Sequence, residues 1–279
     1  MKKIFSCPLG LVVFLAAGLL ILSGCGSSQM GNSMESGGMA GHVVQAEKVS
    51  YQQIAPFVKM GAAWGDRGKG EHGTFGIFPG GAKSPLHTHS RAYHGIVISG
   101  VMTNPFGTEK NSTQMGKGSH WYVPAGEEHV TACVSAEPCR FYFHSEGGFD
   151  FAPVKQATHP RSRQAVSLSG DKVDFKRMAP FVSMGTGWGD RGKGAHGTFG
   201  IFEPNSASPP HTHSGAYHGV VLSGTMTNPF NGDSSPPKMT QGSYWYVPAS
   251  SNHVTACVSK EPCRFYFHAE KAFDFHPAK

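Results

Sequence analysis

The chain repeats itself, and that constrains its architecture more than any other feature. APFVKMGAAWGDRGKGEHGTFGIF, beginning at Ala55, returns as APFVSMGTGWGDRGKGAHGTFGIF beginning at Ala179. The same 124-residue offset relates His87 to His211, Cys139 to Cys263 and Phe151 to Phe275, with no gap between those points. A period above one hundred residues is too long for a solenoid repeat and calls for two copies of one domain. We place the copies at residues 43–154 and 167–279, joined by a polar linker at 155–166 with THPRSR at its centre.

Within each copy the signals are for strands. GTFGIF, YHGIVISG, HWYVPAG and CRFYFH are short β-branched or aromatic runs bounded by Gly, Pro, Ser or Asn. In RFYFH the alternation puts Phe141 and Phe143 on one face and Arg140, Tyr142 and His144 on the other. With 37 Gly, 19 Pro and 15% charged residues, a helical bundle is excluded. The expectation is an all-β chain, each copy a sandwich or small barrel. A formal charge of +6, scattered along the chain, argues against a nucleic-acid partner.

The first residues have the form of an export signal. Lys2 and Lys3 precede an apolar stretch, Leu9 to Leu22, that is short for a bilayer span of about 20 residues. It ends in Leu22-Ser23-Gly24-Cys25, which resembles the lipobox of bacterial lipoproteins. Residues 1–24 are therefore expected to be a signal peptide, with Cys25 lipidated and the protein held at a membrane in the cell envelope. The expected location is the periplasmic face, and Gly26 after the Cys favours the outer membrane if the cell is Gram-negative. Residues 25–42, rich in Gly and Ser, read as a flexible tether whose Met30, Met34, Met39 and His42 offer soft ligands to copper, against the plainer reading of a linker.

Sixteen histidines point to metal chemistry. His87 and His89 are two apart, so in an extended segment both imidazoles project from one face and can share an ion. A turn at Ser90-Arg91 followed by the strand AYHGIVISG would return His94 to the pair, with His94, Ile96 and Ile98 on one face; His129, after Pro124-Ala125-Gly126, supplies a fourth imidazole. The second copy offers His211, His213, His218 and His253. Tyr93 and Tyr217 occupy the other phase of the same strands. His72, His196, His144 and His268 are read as residues behind the ligands or at the surface, and Asp66-Arg67 and Asp190-Arg191 as a local ion pair in a Gly-rich turn.

At these residues the chain resembles the cupins. Their first motif, G(x)5HxH(x)3-4E(x)6G, is approximated by Gly81, His87, His89 and Gly100, and their second, G(x)5PxG(x)2H(x)3N, by Gly118, Pro124, Gly126 and His129. The second copy matches with His211, His213, Gly224, Gly242, Pro248 and His253. The resemblance spans nearly all of Val43 to Lys279 and implies a bicupin, two tandem jelly-roll barrels each with an internal metal site. GDRGKG, SPPHTH and GS(x)WYVPA look like an uncharacterised cupin family, more distantly similar to ChrR-like cupins that hold zinc. In four places the chain departs from the motifs. His94 and His218 stand where many cupins have a ligating Glu, Cys133 and Cys257 where the second motif ends in Asn, Asn205 for Gly81, and Ser250 for Gly126.

Removing Cys7 with the leader and Cys25 with its lipid leaves four cysteines and three pairings. Repetition of CVSAEPC as CVSKEPC favours Cys133 with Cys139 and Cys257 with Cys263. The expected cofactor is a divalent transition metal, Zn, Fe, Cu or Ni. Two functions stay open: a metal-dependent oxygenase or other cupin-type enzyme acting on a small molecule, and a non-catalytic protein that binds or senses a metal or small ligand. Homo-oligomerisation is left open.

Overall fold

The computed structural model describes residues 40–230 and 233–278. The leader, Cys25 and the tether residues Met30, Met34 and Met39 lie outside the described residues. The chain is all-β: among the described residues the helical elements are two single 3-10 turns, Ala46–Lys48 and Gly170–Lys172. Runs such as HGTFGIF and CRFYFHS form strands because β-branched and aromatic side chains fit a pleated surface, and they stop where Gly, Pro or Ser turns intervene.

Each copy builds one seven-stranded antiparallel sheet and two smaller sheets. In the first large sheet the order is Val166–Leu168, His120–Val123, Tyr93–Ser99, Cys139–Ser145, His72–Phe78, Val58–Gly65, Gln52–Ala55. In the second it is His42–Val44, Tyr244–Val247, Tyr217–Ser223, Cys263–Ala269, His196–Phe202, Val182–Gly189, Phe175–Ala179.

The two sheets exchange their first strands. His42–Val44, which opens the first copy, pairs with the second copy, His42 opposite Tyr246 and Val44 opposite Tyr244. Val166–Leu168, which opens the second copy, pairs with the first, Val166 opposite Tyr122 and Leu168 opposite His120. The copies counted along the sequence, beginning at 43 and 167, therefore differ from the hydrogen-bonded units. Repetition identifies equivalent residues but carries no information about which sheet a terminal strand joins.

Three apolar clusters follow from this arrangement. One fills each barrel, around Tyr93, Val97, Trp121, Phe141 and Phe143 in the first and Tyr217, Val221, Trp245, Phe265 and Phe267 in the second. The third lies between the large sheets, where Phe75, Ile96, Ile98 and Tyr142 meet Phe199, Val220, Leu222 and Tyr266. Each large sheet is thus buried on both faces, which ties the barrels together at roughly 1.5–3 kcal/mol per buried large side chain. Gly95 is required where it stands: a Cβ there would lie 2.1 Å from Trp121 Cε2, so only glycine lets the indole lie across the strand. Asn205 and Ser250 take the left-handed backbone, φ 50° and 59°, that Gly81 and Gly126 hold in the first copy.

The local cysteine pairs are disulfides, Cys133–Cys139 and Cys257–Cys263, each joining a short strand to the start of a central one. Because each closes a loop of only about seven residues, chain entropy assigns it about 2 kcal/mol. Reduction is expected to lower the melting temperature without releasing bound metal. Release of metal on mild reduction at fixed pH, followed by elemental analysis, would place sulfur in the metal site.

Candidate metal centre

Two short segments bring three imidazoles together in each barrel. His87 in the His87–Thr88 strand and His89 just after it bring two imidazoles together, and His129 faces His87 across a pair of backbone hydrogen bonds, each 3.0 Å. The ring centroids of His87, His89 and His129 lie 4.8, 4.2 and 5.1 Å apart, and those of His211, His213 and His253 lie 4.7, 4.2 and 5.2 Å apart. One nitrogen from each ring of a triad lies within 4.8 Å of the others, and all six residues are buried.

Backbone carbonyls set the tautomer. His87 Nδ1 donates to Pro85 O (2.8 Å), His89 Nδ1 to Asp150 O (2.5 Å) and His129 Nδ1 to Glu127 O (2.9 Å). The second copy repeats the arrangement on Pro209 O, Asp274 O and Ser251 O. A carbonyl can only accept, so the proton sits on Nδ1 and the Nε2 lone pair is left for an ion. Burial pushes His87 and His213 down to about 4 and His253 to about 3, and holds His129 well below its ordinary value. At neutral pH these are neutral nitrogen donors, as a metal requires. His213 Nε2 is buried without a hydrogen-bond partner, the orphaned acceptor that a bound cation would satisfy. Three oriented imidazoles fit a first-row transition ion with coordination positions to spare.

The expected fourth ligands are corrected. His94 and His218 do not join the triads: they lie on the opposite faces of their strands, between the barrels. His94 stacks on Trp188 at 4.1 Å with Nδ1 3.0 Å from His120 Nε2, and His218 stacks on Trp64 at 4.2 Å with Nδ1 2.6 Å from Tyr244 Oη. His94 does share a face with Ile96 and Ile98, but that face packs against the other barrel. The inward residue is Tyr93, whose hydroxyl donates to His129 Nε2 at 3.2 Å, as Tyr217 does to His253; an ion held by those nitrogens would take the place of these hydrogen bonds and free the hydroxyls. Burial raises both phenols to about 12, so they stay protonated.

Other histidines take structural places. His144 and His268 stack ring on ring at 3.6 Å between the barrels, each with Nε2 3.2 Å from a tyrosine of the other copy, Tyr266 and Tyr142. His72 and His196 bond Thr74 and Thr198 within their own strands. Asp66 and Asp190 pair with Lys69 and Lys193 rather than with the neighbouring arginines. Those arginines, Arg67 and Arg191, line cavities that reach the triads.

The cavity beside His87 and His89 measures about 260 Å³, and the one beside His211 and His213 about 440 Å³. Phe57, Met60, Trp121, Phe141 and Phe149 wall the first; Phe181, Met184, Trp245, Phe265 and Phe273 wall the second. These walls converge from distant segments, and no local sequence signal marks them as neighbours of the triad.

Solved structures share this architecture. A proposed dioxygenase from Nostoc punctiforme matches with a TM-score of 0.65 and 14% identity, over 84% of this chain and 83% of that one. Oxalate decarboxylase from Lactobacillus farciminis matches at 0.65 and 11%, over 86% and 89%, and a variant of Bacillus subtilis oxalate decarboxylase at 0.65 and 13%, over 86% and 80%. At such identities the likeness shows the fold, two tandem cupin barrels. No curated protein matches the chain. The model of the family described as Domain of unknown function (DUF4437) matches residues 43–173 and 181–279, one match for each sequence copy, and the chain belongs to that family.

Proposed function

We propose that this protein is an envelope-anchored, metal-dependent bicupin in which each barrel holds one divalent transition ion and presents it to a small organic molecule. The observation that carries the reading is the pair of three-histidine clusters, each ring fixed through Nδ1 so that its Nε2 converges with the others beside a cavity. A bound ion would supply Lewis acidity or a redox centre for dioxygen chemistry. His87, His89 and His129 hold it, their carbonyl partners keep the rings from turning, and the aromatic walls exclude water. Tyr93 keeps its proton at neutral pH and so can donate a hydrogen bond to an oxygen beside the triad.

The proposed dioxygenase and the decarboxylases among the structural neighbours support a catalytic version of this reading. One observation favours the non-catalytic alternative, in which the site binds or senses without turnover. Asp150, the acidic residue lining the first cavity, accepts from Ser90 N on Oδ1 at 2.7 Å, which holds its carboxyl below the usual range and makes it a poor general base. Elemental analysis of protein purified from its own compartment tests the common core of both versions: about two divalent ions per chain are expected, and a metal-free protein would end the proposal.

The anchoring part rests on Leu22-Ser23-Gly24-Cys25 alone. Cys25→Ser is expected to move the protein from the membrane to the soluble fraction, because one residue carries the lipid. A variant that still sediments with membranes would identify the apolar N-terminus as the anchor.

A further inference from the structure

Resting on the metal reading above, we infer that the ligand of each barrel is an organic molecule with an apolar body and a single oxygen-bearing head, an aryl-alkyl or branched monocarboxylate being the class that fits, and not a small dicarboxylate. Polar groups gather at the triad, where Ser84 Oγ lies 3.3 Å from His87 Nδ1 and Asp150 O accepts from His89. There the Nε2 atoms of the triad face inward, Tyr93 offers its hydroxyl, and the indole N–H of Trp121 lies near that hydroxyl without meeting hydrogen-bond geometry. Trp121 is 1% exposed, and its N–H has no partner, as is also true of Trp245 in the second barrel. A buried donor left unpaired in a ligand-sized cavity is satisfied when a ligand oxygen arrives. The same donor, orphaned in both copies and next to both triads, marks where the head sits.

Away from the triad the wall is mostly apolar. Phe57, Met60, Phe141, Phe143 and Phe149 offer no hydrogen bonds, so a second carboxylate set against them would lose its hydration and find no replacement. An aryl or branched alkyl body gains from the same surface by leaving water, and an aromatic ring also meets ring edges and faces. About 260 and 440 Å³ accommodate such a body at the size of typical small-molecule sites.

Charge selects the head. Three neutral imidazoles leave the ion's positive charge uncompensated, and Arg67 or Arg191 adds a cation to the cavity wall. Asp150 and Asp274 share that wall, each bonded by a serine N–H at 2.7 Å, and as ionised carboxylates they offset the arginines. The ion's own charge therefore sets the field at the triad and favours an anionic head, while the apolar wall limits the molecule to one.

The experiment uses the full chain loaded with Co(II), whose absorption bands report a ligand entering the coordination sphere, and titrates 3-phenylpropionate and succinate, which carries a carboxylate in place of the phenyl ring, separately. Metal content is measured first, so that failure to bind cobalt, which refutes the metal reading, is distinguished from failure to bind the acid. With two ions bound, 3-phenylpropionate is expected to change the bands and to bind at least about tenfold more tightly than succinate. In the His211→Ala/His213→Ala background, which isolates the first barrel, Trp121→Phe removes the N–H while keeping a ring and is expected to weaken 3-phenylpropionate about tenfold. Phe57→Glu in that background should weaken it further while leaving the cobalt content unchanged. Succinate binding as tightly as 3-phenylpropionate, or a cobalt-loaded protein whose bands and binding heat ignore 3-phenylpropionate, overturns the inference.

Discussion

Alanine at both His87 and His89 is expected to remove one metal ion per chain and leave the other bound. Each triad draws its residues from one copy, His87, His89 and His129 in the first and His211, His213 and His253 in the second, with no shared ligand. Loss of two of three imidazoles leaves His129 alone, and one neutral nitrogen does not hold a divalent ion against water and buffer. The change removes two buried polar side chains whose Nδ1 atoms satisfy Pro85 O and Asp150 O, so a stability loss of about 1–3 kcal/mol accompanies each. The second barrel keeps its own interior cluster and its own disulfide, which is why its ion should stay. Elemental analysis against protein concentration reads the result, and His211→Ala/His213→Ala is the mirror experiment. Retention of both ions would move the site elsewhere, and loss of both would show that the barrels do not hold metal independently.

The parts of this site that were legible in the sequence are those in which chemistry and spacing coincide locally. His87 and His89 at spacing two, and His129 after a Pro-Ala-Gly turn, are such features; the repeat shows that the chain uses them twice. The phase of the next strand was not legible. Tyr93 and Val97 are buried inside the barrel, while Ile96 and Ile98 are buried between barrels, so apolar residues occur on both faces and alternation cannot say which face is inward. Placing His94 at the metal was the consequence. The strand exchange was hidden for a related reason: His42–Val44 finds its partner about two hundred residues away, and nothing within the segment encodes that choice. The cavity is nonlocal too, since Phe57 and Phe149 reach it from opposite ends of the first copy.

Acid is expected to unfold the protein through the histidines buried between the barrels. His94, His120, His144, His218 and His268 lie between the barrels, and burial, the leading cause in each case, lowers them all: His94 and His218 to about 3, the other three well below the ordinary value. In His144 and His268 the neighbouring imidazoles add to the lowering, as expected for rings stacked at 3.6 Å. A group whose folded pKa is depressed binds its proton more readily when unfolded. Its contribution to stability is therefore full above the unfolded value near 6.5 and is lost as pH falls toward the folded value. Each imidazole costs about 1.4 kcal/mol per pH unit in that window, so five acting together cost about 7 kcal/mol per unit, comparable with the whole stability of a typical domain. Glu270 works in the opposite sense: burial, with Glu146 and Glu71 nearby, raises its carboxyl, so protonation there favours the folded state, but one group cannot offset five. Urea titrations of metal-free protein from pH 7 to pH 5 should show stability falling steeply, with unfolding centred between about pH 5 and 6. Replacing the stacked pair, His144→Phe with His268→Phe, deletes two of the five protons and should flatten the slope by about 2.7 kcal/mol per pH unit, whatever the metal ligands add to both proteins. A slope identical in the two proteins would mean that these imidazoles take up no protons on unfolding, and the buried neutral stack would have to be abandoned as the source of acid sensitivity.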